Sequence, residues 1–234
     1  MENSKIVILG EGLLGTTLKT MYGWDVVSLE SHQIDFTKPE TYKDHILNYD
    51  VVINCIANTD TYSQEREDHW NVNYKGVSDL VDVCNEYKIK LVQISTDYVY
   101  GGGALNCTED EVPVHQQTWY SYTKLLGDSH VQLKSNNYLI VRGGHKPRPF
   151  PFDKAYDNIM GNFDYVDVNC EIIEKLITKN ASGVFNIGTE PKSIYDLAKQ
   201  TKEDVLRTTC MSCPIPKTLL MNLSKLKKFL NDEN

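Results

Sequence analysis

The stretch Lys5–Gly15, KIVILGEGLLG, decides the fold. Lys5–Leu9 is a short β-rich run, and Gly10, Gly12 and Gly15 follow it as GxGxxG before a helical segment ending at Tyr22. In such a strand–turn–helix unit the first glycine permits the tight turn and the second lets backbone approach a pyrophosphate. The third lets helix and strand pack closely, and the helix N-terminus offers unpaired N–H groups to an anion. Glu30 lies 20 positions after Gly10, past a second β-rich run, Asp25–Leu29. A carboxylate there suits a ribose 2′-hydroxyl. A plain glycine-rich turn has no need of it.

Outward from this unit, β-rich and helical runs alternate, which predicts a doubly wound parallel sheet with helices on both faces. Asp50–Asn54, Lys90–Ser95 and Tyr138–Arg142 read as further strands. Asn73, Val77, Leu80, Val81 and Cys84 recur at helical spacing, and Trp119–Lys134 reads as another helix. After Arg142 the composition changes. Gly143–Lys154 is rich in Gly, Pro and cations and predicts irregular chain. Beyond it Val168, Ile172, Ile173, Leu176 and Ile177 mark a helix, Val184–Ile187 a strand, and Ser193 a cap for Ile194, Leu197 and Ala198. Leu223, Leu226 and Leu230 suggest a last helix. This division predicts a dinucleotide-binding domain over 1–142 and a small α/β substrate lobe over 143–234, interleaved with the core.

Composition narrows the function. Among 234 residues, 24 Lys and Arg face 32 Asp and Glu, a net charge of −8, which argues against a nucleic-acid or anionic-membrane surface. No apolar run is long enough for a bilayer and the start lacks a signal-peptide pattern, so a cytoplasmic protein is expected. The six cysteines are expected to be small buried hydrophobes rather than a disulfide framework. Cys210 and Cys213 form a CxxC without a second pair or a nearby His, so no metal site is expected.

Two further features carry chemistry. Tyr120 and Lys124 form YxxxK on a predicted helix, where positions i and i+4 share a face. A neighbouring ammonium is expected to lower the phenol's pKa. Thr96 follows the fourth strand, at the carboxyl end where parallel sheets bind ligands. A surface Tyr–Lys pair and a Thr that caps its strand through local bonds are the plain structural alternatives.

The glycine fingerprint, Ser95–Tyr100 (STDYVY) and the Tyr120/Lys124 pair, in that order, resemble the extended short-chain dehydrogenase/reductases, a Rossmann-type family. Within it the chain is most similar to the dTDP-4-dehydrorhamnose reductases. Asp35-Phe36, the run Asn54–Thr59 (NCIANT) and WNVNYKG at 70–76 support this over Lys5–Arg142. The last third matches more faintly. The resemblance implies Thr96, Tyr120 and Lys124 as the catalytic set. It implies Gly10, Gly12, Leu13, Leu14 and Gly15 around the pyrophosphate and Glu30 near the adenosine ribose. Asp35 and Phe36 would border the adenine, and Ile56, Ala57 and Asn58 would line the path to the nicotinamide. Thr59, Tyr98 and the loop carrying His145 and Arg148 would face the sugar. The implied reaction is NAD(P)H-dependent reduction of the 4-keto group of a nucleoside-diphosphate 4-keto-6-deoxyhexose. Ser28–Thr37 holds no Lys or Arg, so the cofactor leans toward NAD(H).

Two departures from the resemblance bear on function. The lobe of about 90 residues is shorter than the family's, and His145 stands where an aromatic residue is usual. Phe150 and Phe152, with His145, Lys146, Arg148 and Lys154, suit either a nucleotide-binding loop or an ordinary surface connection. Bifunctional 3,5-epimerase/4-reductases place a Cys two residues after the catalytic hydroxyl. Here that position is Tyr98, and Cys107 is nine residues further on. A non-catalytic dinucleotide-binding regulatory subunit, as in the β subunit of methionine adenosyltransferase, is the alternative from another class. The expected partners are a nucleotide-sugar substrate and a possible second copy in a homodimer.

Overall fold

The computed structural model describes residues 4–113 and 116–231. Six strands form one parallel sheet: β1 (Ile6–Leu9), β2 (Asp25–Val27), β3 (Val51–Asn54), β4 (Lys90–Ile94), β5 (Tyr138–Arg142) and β6 (Gly183–Asn186). Their order across the sheet is β6-β5-β4-β3-β1-β2. Order reverses between β1 and β3, so the crevice beyond the carboxyl ends of these two strands is the expected ligand position.

The apolar strands are buried on both faces, and strict alternation separates two cores. Val7, Leu9, Val52, Leu91 and Ile140 face α2 (Val77–Tyr87) and α3 (Trp119–Lys134). Ile8, Ile53, Val92, Leu139 and Val141 face α1 (Leu13–Tyr22), α4 (Val166–Thr178) and α5 (Ser224–Asn231). A period of two puts neighbouring residues on opposite faces, which is why continuous VVI and LIV runs work here.

The expected elements are present with shifted ends. β2 stops at Val27, because Ser28 caps the short helix Leu29–His32 in place of continuing the strand. The helix carrying Asn73 is not uniform. Arg66–His69 is α-helical, Trp70–Gly76 widens into a π-helical turn, and α2 follows. Such turns recur at functional positions.

Residues past 143 serve both parts of the molecule. β6 pairs with β5, and α4 and α5 cover one face of the main sheet. A separate small lobe closes over Phe150, Ile159, Phe163, Tyr165, Ile194, Leu197 and Val205. Its strands are only two or three residues long, Met160–Gly161 pairing with Lys192–Ser193 and Thr218–Leu219, and Lys154–Tyr156 with Leu206–Thr208. Gly143–Lys154 is mostly irregular, with His145–Lys146 paired to Asp164–Tyr165.

The cysteine expectation needs a correction. Cys84, Cys107 and Cys170 are buried thiols and Cys55 a half-buried one, but Cys210 and Cys213 are joined in a disulfide. Their spacing brings the two side chains together where the lobe chain doubles back, and Cys210 is buried in the lobe core. No candidate metal cluster and no helix long and apolar enough to cross a membrane occur among the described residues.

Candidate active site

Four adjacent strands end at one cleft of about 440 Å³. β1 delivers Gly12, Leu13 and Leu14, β3 delivers Cys55, Ala57, Thr59 and Thr61, β4 delivers Ser95–Tyr98, and β5 delivers Gly143–Lys146. From α3 come Tyr120 and Lys124, while Met160, Phe163, Ile215 and Pro216 of the small lobe form the opposite wall.

The glycine turn has the shape a pyrophosphate requires. Gly10 adopts φ +98°, which disfavours a side chain, and a Cβ on Gly15 would collide with the Gly10 carbonyl. A Cβ on Gly12 would meet nothing within 4 Å, so this backbone opens onto the cleft. These residues fit a dinucleotide, with Gly12 and the N–H groups opening α1 able to hold its phosphates.

Thr118 caps α3, its hydroxyl accepting from Ser121 N at 3.1 Å, and so fixes where the helix begins. Tyr120 and Lys124 then sit one turn apart, facing Thr96 at the end of β4. The Thr96 hydroxyl accepts from Tyr98 N at 3.2 Å, so the local capping role and the cleft position coexist. Lys124 is buried and donates to the Ile94 carbonyl at 2.7 Å. Burial lowers its pKa, partly opposed by Asp128.

The direction of the Tyr120 shift differs from the expected one. Burial pushes the phenol up to about 12, and the neighbouring Thr96 hydroxyl offsets this only in part. With Lys124 directed at a carbonyl, desolvation of the phenolate dominates. Tyr120 therefore holds its proton at neutral pH. His145 shifts the other way: burial, reinforced by Lys146, lowers it to about 4 and leaves the imidazole neutral. Burial raises Asp97 and lowers Lys146, while each partly restores the other's charge.

Behind this wall lies a buried network absent from the sequence reading. Asp128 accepts from Ser95 Oγ at 2.7 Å and from Arg142 Nε at 3.0 Å. Arg142 Nη1 also donates to Tyr100 Oη at 2.9 Å and to the Glu109 carbonyl at 2.8 Å. Tyr100 in turn donates to Asn186 at 2.7 Å. Asp128 was detectable, since it stands four residues after Lys124 and shares its helix face. A second brace joins Asn73 of the π-helical turn to the loop after β3. Its Oδ1 accepts from Asn58 N at 2.9 Å, and its Nδ2 donates to the Asn58 carbonyl at 3.0 Å.

The remaining candidates divide. Ala57, Thr59, Tyr98 and His145 line the cleft. Ile56 packs beside Gly10, and Asn58 is held by Asn73. Phe36 is buried against Gly76, and Asp35 is bound by Thr37 and Lys38, so neither reaches the cleft lining. Glu30 is exposed on the short helix after β2. Arg148 does not line the cleft; it pairs with Asp167 at 2.8 Å and lies over the Tyr165 ring. Phe150 belongs to the lobe core, with Phe152 exposed against it. Cys107 packs away from the cleft with Val99, Tyr100, Met221 and Leu223.

A doubly wound parallel sheet, a glycine turn at its switch point and a Tyr–Lys pair beside a strand-end Thr define a dinucleotide-binding fold of the extended short-chain dehydrogenase/reductase type. The chain belongs to the family described as the RmlD substrate binding domain, whose profile matches residues 4–145. It is 34% identical over 148 residues to the dTDP-4-dehydrorhamnose reductase of Mycolicibacterium smegmatis, covering 59% of this chain and 44% of the relative. With the same enzyme of Mycobacterium tuberculosis it shares 32% over 150 residues, 60% of this chain and 49% of the other. The chain thus spans about half the length of these curated relatives. The dTDP-4-keto-6-deoxy-D-glucose reductase of Streptomyces niveus is 26% identical over 226 residues, 86% of this chain and 78% of that one. Among solved structures, the Bacillus anthracis dTDP-4-dehydrorhamnose reductase in complex with NADP superimposes with a TM-score of 0.83 at 22% identity, covering 97% of this chain and 91% of that one. Bordetella bronchiseptica WbmG with NAD and UDP gives 0.78 at 15%, covering 97% and 89%. At these identities the structural likeness establishes the fold.

Proposed function

We propose that this protein reduces the 4-keto group of a nucleoside-diphosphate 4-keto-6-deoxyhexose, using NAD(P)H. The observation that carries the reading is the meeting of Thr96, Tyr120 and Lys124 in a cleft continuous with the Gly12–Leu14 turn. The curated relatives, named as reductases of dTDP-linked 4-keto sugars, support the substrate class. The cofactor supplies the hydride. As negative charge gathers on the substrate oxygen, the Thr96 hydroxyl donates a hydrogen bond to it and Tyr120 transfers its proton. Positioned proton transfer of this kind contributes about 10²–10⁴-fold. Lys124, which donates to the Ile94 carbonyl in this structure, turns its ammonium toward the phenol oxygen to offset the charge left there, which a buried site otherwise disfavours. Thr59, Tyr98 and His145 face the sugar, with Met160 and Phe163 across from them in the small lobe.

The test is cofactor oxidation, followed by the absorbance of reduced nicotinamide, with dTDP-, UDP- and GDP-linked 4-keto-6-deoxy sugars. Turnover of at least one is expected. Bound cofactor without turnover of any would replace this reading with the regulatory-subunit alternative. For 3,5-epimerisation Cys107 offers no support, because it lies outside the cleft lining.

A further inference from the structure

The meeting point of the glycine turn and the end of β2 holds a carboxylate that the reading of Glu30 overlooked. Gly10 N donates to the Val27 carbonyl at 2.9 Å, drawing the end of β2 against the turn. Glu11, the first variable residue of GxGxxG, therefore meets Ser28, the first residue past β2. Ser28 Oγ donates to Glu11 Oε2 at 2.9 Å, and Lys19 of α1 pairs with Glu11 Oε1 at 2.7 Å. The polar chain continues from Ser28 Oγ to Ser31 Oγ at 2.9 Å and on to His32 Nδ1 at 2.7 Å. Glu11 is thus fixed from two sides, whereas Glu30 makes no hydrogen bond or ion pair among the described residues.

We propose that Glu11 gates the adenosine end of the cofactor site and commits the protein to NAD(H) over NADP(H). The proposal rests on the dinucleotide reading and specifies which dinucleotide. In a βαβ site of this kind the adenosine ribose lies over the end of β2. A 2′-hydroxyl there has a proton to offer a fixed carboxylate. A 2′-phosphate brings about two negative charges against Glu11. The ammonium groups at hand are already committed, Lys19 to Glu11 and Lys38 to Asp35 at 2.9 Å. His32 has its Nδ1 engaged by Ser31 and its ring packed edge-on against His45 at 4.8 Å. The same geometry makes the preference reversible. Removing the Glu11 charge ends the repulsion and also releases Lys19 to pair with the phosphate.

Direct titration of NADH and NADPH, without sugar substrate, tests this on the intact protein by tryptophan fluorescence or calorimetry. Wild-type protein is expected to bind NADH at least about tenfold more tightly than NADPH, the order expected for one or two partly screened charges. Glu11→Gln should tighten NADPH by about tenfold and weaken NADH modestly, because the 2′-hydroxyl then meets a neutral amide in place of a carboxylate. Adding Lys19→Met to Glu11→Gln should remove most of that gain, and Glu30→Gln alone should shift the ratio less. Thermal melts of each variant establish that it is folded. Equal or tighter NADPH binding by wild type, an unchanged ratio in Glu11→Gln, or a shift carried wholly by Glu30→Gln would each overturn the gate. Failure of both dinucleotides to bind would overturn the dinucleotide reading itself, a distinct result.

Discussion

The two walls of the cleft are built by different means. Behind the sheet-edge wall, Ser95, Asp128, Arg142, Tyr100 and Asn186 join segments far apart in sequence through buried hydrogen bonds and one buried ion pair. The small-lobe wall rests on strands of two or three residues and an apolar cluster. Several of its ion pairs are solvent-exposed, among them Arg148–Asp167 and Arg207–Asp157. The contrast suits the roles proposed for each side. Proton transfer demands fixed oxygens, and a buried hydrogen-bonded network holds them, although Asp128 Oδ1 has no hydrogen-bond partner among the described residues. The relatives are named for different 4-keto sugars, and short elements can be altered without disturbing the sheet.

The largest effect of that contrast lies at Asp128. Asp128→Ala leaves the Arg142 guanidinium buried without its carboxylate, and removing one partner of such a pair costs about 3–5 kcal/mol. Urea unfolding should show this loss, with Asp128→Leu/Arg142→Met recovering much of it. A loss no greater than that from breaking a lobe ion pair would erase the distinction. Tyr120→Phe comes next. Turnover should fall about 10²–10⁴-fold with cofactor affinity retained, since the ring stays and only the proton donor goes. Lys124→Ala should lower both. Undiminished turnover in Tyr120→Phe would remove Tyr120 as the acid.

Legibility in the sequence follows the same divide. The sheet was readable because buried parallel strands are continuous apolar runs, and GxGxxG, Thr96, Tyr120 and Lys124 announce themselves by position. What stayed hidden depends on distant residues meeting. The Asp128–Arg142 pair needs α3 laid against β5, and Asn73 reaches Asn58 only through the π-helical turn. The Tyr120 shift likewise turned on where Lys124 points, which spacing alone does not fix. In the lobe, the loop carrying Lys146, Arg148, Phe150 and Phe152 suited nucleotide contacts or an ordinary surface connection equally. Arg148 found Asp167, and Phe150 found the lobe core.

Within the lobe, Asp164 is the most enclosed charge, and its effect should be intermediate. Burial raises its pKa, but hydrogen bonds from Lys192 at 2.6 Å and Thr189 outweigh this and the net direction is down. A carboxylate lowered on folding contributes stability above its unfolded pKa of about 4, and that contribution fades as pH falls below it. Stability measured in urea from pH 6 to about 3 should therefore drop less steeply in Asp164→Asn than in wild type, by on the order of 1 kcal/mol. Parallel curves would show that this pair contributes nothing to the lobe.

The smallest effect is expected at Arg148, and there it tests the boundary between the walls. The sequence placed this guanidinium toward the sugar, whereas the structure holds it between Asp167 and the Tyr165 ring at 4.3 Å from the centroid. Both partners of the ion pair are partly exposed, so Arg148→Ala should cost about 0.2–1 kcal/mol of stability. If the cleft described by Thr59, Tyr98 and His145 is the whole sugar-facing surface, KM for the nucleotide sugar should not move. A KM raised about tenfold at unchanged kcat would mean that Arg148 leaves Asp167 to bind the substrate in the ground and transition states alike. The lobe wall would then be completed by a charge that Asp167 holds in reserve, and its exposed ion pairs would belong to recognition as well as to folding.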